Sequence, residues 1–115
     1  MTTSLPTILD LTQFRDITEN DRELEADLFN EFIKDSSNLV EELHTTLEQD
    51  ERPAFRKAAH ALKGISLNLG ARHLADLAFQ AQQNFEGPSD DLQNLFHQIR
   101  DAQSVVTCLL EKEMA

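Results

Sequence analysis

The chain has 115 residues, 21 Asp and Glu against 10 Lys and Arg, and a formal net charge of −11. That length holds one domain with a single modest core, and 40% hydrophobic with 27% charged residues suits a folded chain rather than a disordered one. Three Gly and three Pro are too few for the turns of an all-β domain, and the acidic balance sets nucleic acid and anionic membrane aside as main partners.

Residues 1–8 read as a tail, and 9–115 as the domain. Asp10 caps a short predicted helix over about 11–17, with Leu11, Phe14 and Ile17 inward and Gln13 at the third helical position. Asn20 or Asp21 opens a long helix to about Glu48. Its apolar stripe is Leu24, Leu28, Phe29, Phe32, Ile33, Leu39, Val40, Leu43 and Leu47, in steps of three and four. Glu19, Asp21, Glu23 and Glu25 suit the positive end of its dipole.

Pro53 falls in the first turn of a third helix, where a missing N–H costs nothing. Gly70 ends that helix as a left-handed cap. A fourth covers about 71–86, with Leu74, Leu77, Ala78, Ala81 and Phe85 inward. Gly87-Pro88-Ser89 is a stop followed by an N-cap. The fifth, about 90–113, buries Leu92, Leu95, Phe96, Ile99, Ala102, Val106 and Leu109. Short connections between four amphipathic helices predict an all-α, antiparallel four-helix bundle with a short additional N-terminal helix.

The single cysteine, Cys108, has no internal disulfide partner and is expected to be buried among Val105, Val106, Leu109 and Leu110. The first 20 residues carry no secretory pattern, and no apolar run approaches the roughly 20 residues of a membrane span. The expected compartment is the cytoplasm. His44 stands three residues from Glu41, but a bundle metal site needs several such pairs facing inward. The three glycines form no phosphate-binding loop, so the chain is expected to have no nucleotide site of its own.

On the third helix, Phe55, Ala58, Leu62, Ile65, Ser66 and Leu69 share one face, which is the core face. His60 points the opposite way. Arg56, Lys57, Lys63, Gly64 and Leu67 lie around it, and no carboxylate occurs from Pro53 to Ala75. Cations beside an imidazole favour the neutral, nucleophilic ring. Gly64 costs about 1 kcal/mol against Ala in a helix interior, and its use would be to let another surface come close to His60. Leu67 is apolar on a polar face, so it suits docking. An exposed imidazole with an ammonium beside it can attack phosphorus while Lys63 offsets charge on the transferred oxygens.

The stretch Ala59-His60-Ala61-Leu62-Lys63-Gly64-Ile65-Ser66, followed by Leu69-Gly70-Ala71 and Leu74, resembles the signature of histidine-containing phosphotransfer (HPt) domains. Residues 8–87 fit the family's pattern, and the fifth helix fits its architecture. The resemblance implies that His60 is phosphorylated at Nε2, that Lys63 neutralises phosphoryl charge, and that Gly64 permits receiver docking, with Arg56, Lys57 and Leu67 around it. In several members a glutamine 22 residues after the histidine holds the other ring nitrogen, and Gln82 stands at that position. Its stripe, shared with Leu74, Ala78 and Phe85, turns it toward the bundle, where a polar group needs a partner. Many members carry Leu-Glu where this chain has Ala81-Gln82, so the role of Gln82 depends on the subfamily.

The implied function is a phosphorelay intermediate, expected to be a monomer. It would carry a phosphoryl group between aspartates of receiver domains, from a hybrid sensor kinase to a response regulator. No cofactor is implied for this chain, because the Mg²⁺ belongs to the receiver. The competing reading is a helical adaptor that binds receivers without being phosphorylated. Residues 52–73 hold Arg52, Arg56, Lys57, Lys63 and Arg72 with no acid, a basic window in an otherwise acidic chain.

Overall fold

The structure is a computed structural model and describes residues 7–115. The expected tail therefore lies largely outside the described residues. Five helices follow one another: α1 (Thr12–Thr18), α2 (Arg22–Glu48), α3 (Arg52–Leu69), α4 (Arg72–Gln83) and α5 (Ser89–Met114). There is no strand among the described residues. Helices α2 to α5 each pack on the next in chain order, and α2 against α5 closes the ring; α1 lies across α2 and α3. This is the expected four-helix bundle with its extra N-terminal helix.

Leu43, Phe55, Leu62, Leu74, Leu92 and Ile99 are fully buried at the centre, with side chains from all four long helices. Burying one such side chain is worth about 1.5–3 kcal/mol, so this shared apolar centre fixes the helices' mutual register. Helix α1 is pinned by Phe14 stacked on Phe29, with ring centroids 5.2 Å apart. The described helices include none long and apolar enough to cross a membrane.

Local chemistry sets the helix ends. The Asp21 carboxylate accepts a hydrogen bond from Leu24 N–H at 3.1 Å, so Asp21 rather than Asn20 caps α2. Asn20 instead joins Glu19 in a left-handed turn, with φ of 60° and 54°. Gly70 ends α3 at φ 101°, where its N–H bonds Ser66 O and Leu67 O. The N–H of Ala71 also reaches Ser66 O, at 2.9 Å. The chain then turns directly into α4, which sets α3 and α4 side by side and antiparallel.

The structure corrects several expectations. Ile17 is 74% exposed; Thr18 is buried in its place, because its hydroxyl and Arg15 both reach the buried Glu25 carboxylate. Leu24 is exposed, and Ile65 is only half-buried. Leu11 rather than Asp10 occupies the N-cap position of α1, yet Asp10 Oδ1 still accepts from Thr12 N–H, at 3.1 Å. Helix α4 stops at Gln83, where the Asn84 side-chain amide takes the carbonyl of Gln80 at 2.8 Å. Pro88, not Ser89, is the N-cap residue of α5. Cys108 is exposed and Leu109 half-buried, while Val106 and Leu110, four residues apart, carry the buried stripe.

Arg52 also takes a different part from the one its place in the basic window suggested. Its guanidinium donates to Phe85 O at 3.0 Å, Gly87 O at 2.7 Å and Ser89 Oγ at 3.1 Å, and its Nε pairs with Asp50 at 2.6 Å. It supplies donors to carbonyls past the end of α4, where no helical partner exists. Arg52 is thus a brace for the α4–α5 turn.

Candidate phosphotransfer site on α3 and α4

The buried face of α3 aims its outer face. Phe55, Ala58, Ala59, Leu62, Ser66 and Leu69 sink into the bundle, which turns His60, at the middle of the helix, to the surface. The Ser66 hydroxyl lies fully buried with no hydrogen-bond partner among the described residues.

Across the α3–α4 seam, His60 Nδ1 lies 3.3 Å from Gln82 Oε1. An amide oxygen only accepts, so the contact is a hydrogen bond in the tautomer that carries its proton on Nδ1, and in that tautomer Nε2 keeps its lone pair. Gln82 is half-buried on α4 and His60 is exposed. The pairing suggested by the 22-residue spacing is therefore present in space.

Lys63 lies one turn after His60. Its ammonium sits over the ring of Phe79, 5.2 Å from the centroid. One turn before His60, the Arg56 guanidinium sits over Phe85 at 5.6 Å. Lys57 is exposed on the same helix. A Cβ added to Gly64 would meet nothing within 4 Å, so the surface beside His60 is open there. Leu67 is 54% exposed, and it lines a groove of about 410 Å³ with Lys63, Arg72, Ala75, Asp76 and Phe79.

Arg56, Lys57, Lys63, Gly64 and Leu67 thus all surround His60 on one face, as expected. Two members of the basic window do not contribute freely. Arg52 is the brace described above, and Arg72 approaches Asp10 at 3.8 Å. Sequence reasoning also missed Phe79: at 39% exposed it is a large apolar group on the surface of α4, beside the site. Its spacing of three before Gln82 was the available signal, once Gln82 had been placed opposite His60. Asp76 was missed as well. The acid-free run ends at Ala75, and folding brings the next residue into the groove beside Lys63.

The other histidines stand apart from this arrangement. His44 Nε2 meets Glu48, not Glu41, at 2.7 Å, and its ring packs on Phe96 at 5.2 Å. His73 is half-buried at the start of α4, where its backbone N–H donates to Thr7 O. Among the described residues no group of three or more His, Cys, Asp or Glu is placed to hold a metal ion.

The Hpt domain family model matches residues 27–108, more than half of the chain. Among solved structures, the chain is similar to histidine-containing phosphotransfer protein B (HptB) from Pseudomonas aeruginosa PAO1. The TM-score is 0.83 at 26% sequence identity, covering 96% of each chain. No curated protein sequence matches. The α3 face around His60 is thus carried on a helical bundle that another histidine phosphotransfer protein shares along nearly its whole length. The chain belongs to the Hpt domain family, and its role is histidine phosphotransfer in a phosphorelay.

Proposed function

We propose that His60 carries the phosphoryl group, on Nε2, between an aspartyl phosphate of one receiver domain and the aspartate of another. The observation that carries this reading is the contact of His60 Nδ1 with Gln82 Oε1 on an exposed histidine, which favours the tautomer with Nδ1 protonated and Nε2 free to attack.

The step balances without a base. The Nε2 lone pair attacks phosphorus, a P–N bond forms, and the P–O bond to the aspartyl carboxyl breaks. The carboxylate leaves with the electron pair. The ring keeps its proton at Nδ1 and gains positive charge, which the Gln82 carbonyl stabilises by accepting that N–H. Lys63 offsets charge on the three phosphoryl oxygens. Transfer onward is the same step reversed, on the second receiver's aspartate. Gln82 orients the ring and fixes its tautomer.

Docking uses Arg56 and Lys57 to steer an acidic receiver pocket toward His60, with Leu67 and the open surface at Gly64 for close approach. Mg²⁺ sits on the receiver, and this chain supplies no metal ligand to the step. The donor is a hybrid histidine kinase and the acceptor a response regulator. The chain works as a monomeric, cytoplasmic phosphocarrier, residues 9–115 forming the domain, with no ATP site or autokinase activity.

The test is incubation with a panel of phosphorylated receivers. Acid-labile phosphate on the wild type and none on His60→Gln is the expected result. Binding to receivers without any transfer, across the panel, would replace the relay by the phosphorylation-independent adaptor.

A further inference from the structure

Helices α3 and α4 run antiparallel, and three side-chain pairs cross their seam in register. Arg56 meets Phe85, His60 meets Gln82, and Lys63 meets Phe79. Each group on the α3 side is one that the proposed transfer uses. Each partner lies at or just beyond α4, at steps of three. The imidazole is thus bracketed along the seam by two cations, each resting on the face of a phenyl ring.

A lysine ammonium on a four-carbon stem samples many positions when nothing holds it. The negative face of an aromatic ring restrains it without neutralising it, whereas a carboxylate would cancel its charge. The alternative partner is close: Asp76 lines the same groove as Lys63 and Phe79. It stands one turn before Phe79 on α4, away from Gln82. The Asp76 carboxylate is itself bonded by the Gln80 amide at 2.9 Å. The ring therefore holds Lys63 on the His60 side of that carboxylate. Phe79 remains 39% exposed, so burial alone does not account for an aromatic side chain at this place.

We propose that Phe79 and Phe85 are positioning residues for phosphotransfer. Their ring faces keep the Lys63 ammonium and the Arg56 guanidinium in place beside His60, before a phosphoryl group arrives. This rests on the reading of His60 as the phosphoryl carrier. Preorganised charge lowers the barrier because it need not be gathered during the step. The gain expected from one ring is between about twofold and thirtyfold in rate, the span from an exposed to a desolvated cation–π contact.

The test compares Phe79→Leu, Phe79→Trp and Lys63→Met, with the double variant of Phe79→Leu and Lys63→Met. Single-turnover transfer from a phosphorylated receiver is measured over a range of receiver concentrations. The side-chain proton shifts of Lys63 are followed by NMR. Phe79→Leu should abolish the ring-current shift of the Lys63 methylenes and slow the maximal transfer rate, leaving the half-saturating receiver concentration unchanged. Phe79→Trp should restore both, and Phe79→Leu should cost nothing further in the Lys63→Met background. Phe85→Leu should release the Arg56 side-chain shifts in the same way.

An unaltered maximal rate in Phe79→Leu would overturn the proposal. So would a loss that persists undiminished in the Lys63→Met background, or a loss seen only as weaker receiver binding, which would make Phe79 a docking contact. Failure of the underlying reading shows separately: the wild type would take up no phosphoryl group, or His60→Gln would still do so.

Discussion

The Gly70 Cα faces the backbone of Asp10 so closely that a Cβ there would stand 1.9 Å from the Asp10 carbonyl oxygen. The same two residues are joined by Asp10 N–H donating to Gly70 O at 3.0 Å. One glycine therefore ends α3 and receives the segment that leads into α1. Gly70 also stands at φ 101°. A side chain at Gly70 meets two separate penalties. The left-handed conformation costs an L-residue about 1–2 kcal/mol, and the clash forces the lead-in away. Gly70→Ala should destabilise the protein by roughly 2–3 kcal/mol. Asparagine tolerates left-handed backbone but carries the same Cβ, so Gly70→Asn should recover little. Urea unfolding of the two variants checks this. Near-wild-type stability in Gly70→Asn would mean that the contact with Asp10 is dispensable.

Gly64 is predicted to behave in the opposite way. It has a helical neighbourhood and open space around it. Gly64→Ala should raise stability by up to about 1 kcal/mol, a few degrees in thermal midpoint for a domain of this size. Gly64→Gln should fold as well but slow transfer from a receiver to His60 by about tenfold or more, by filling the approach. Thermal melts and transfer kinetics on the same samples separate the two effects. Unchanged kinetics in Gly64→Gln would remove Gly64 from the docking surface.

For Gln82, the prediction concerns the proton on the His60 ring. The ¹⁵N shifts of the imidazole distinguish the two neutral tautomers. In the wild type Nδ1 should carry the proton, because Gln82 Oε1 can only accept. Gln82→Ala should move the ring toward a mixture of tautomers and lower the transfer rate severalfold, without altering the fold. A wild-type ring protonated at Nε2 would contradict the assignment.

Asp10 gives a pH dependence. Hydrogen bonds from Thr12, side chain first and then backbone, hold the Asp10 carboxyl below its ordinary pKa, with Arg72 adding attraction. A carboxyl lowered in the folded state stabilises above its unfolded pKa, and that contribution is lost as pH falls through the folded value. In acid, the Thr12 amide and the start of α1 should lose hydrogen-exchange protection before the bundle opens. Asp10→Asn should show no such step. An identical acid profile in both proteins would mean the carboxylate does not hold this end.

Much of this fold was legible because long amphipathic helices mark their buried face with steps of three and four. Helix α3 is the clearest case: Pro53 near its start, Gly70 at its end, and an outer face on which Arg56, Lys57, Lys63, Gly64 and Leu67 lie with His60. Short or terminal stretches were harder. In α1 the apolar Ile17 points to solvent because Thr18, through its hydroxyl, takes the inward place beside Glu25. Near the end of α5, the run Val105, Val106, Leu109, Leu110 marks more of the helix than its neighbours can cover, so Cys108 stays exposed. Side-chain ties across long separations left no pattern to read. The Arg15–Glu113 pair and the hold of Arg52 on Gly87 are of this kind. The seam was half legible. Gln82 was placed by its spacing from His60, but the rings under Lys63 and Arg56 needed the register of α3 on α4.

The central claim is that Nε2 of His60 bears the phosphoryl group. The direct measurement is NMR of ¹⁵N-histidine-labelled protein phosphorylated by a receiver, reading phosphorus–nitrogen coupling at each ring nitrogen. The account predicts one phosphorylated histidine among the four in the chain, coupled through Nε2 and absent from His60→Gln. A phosphoryl group on Nδ1 of His60, or one that persists in His60→Gln, would contradict it.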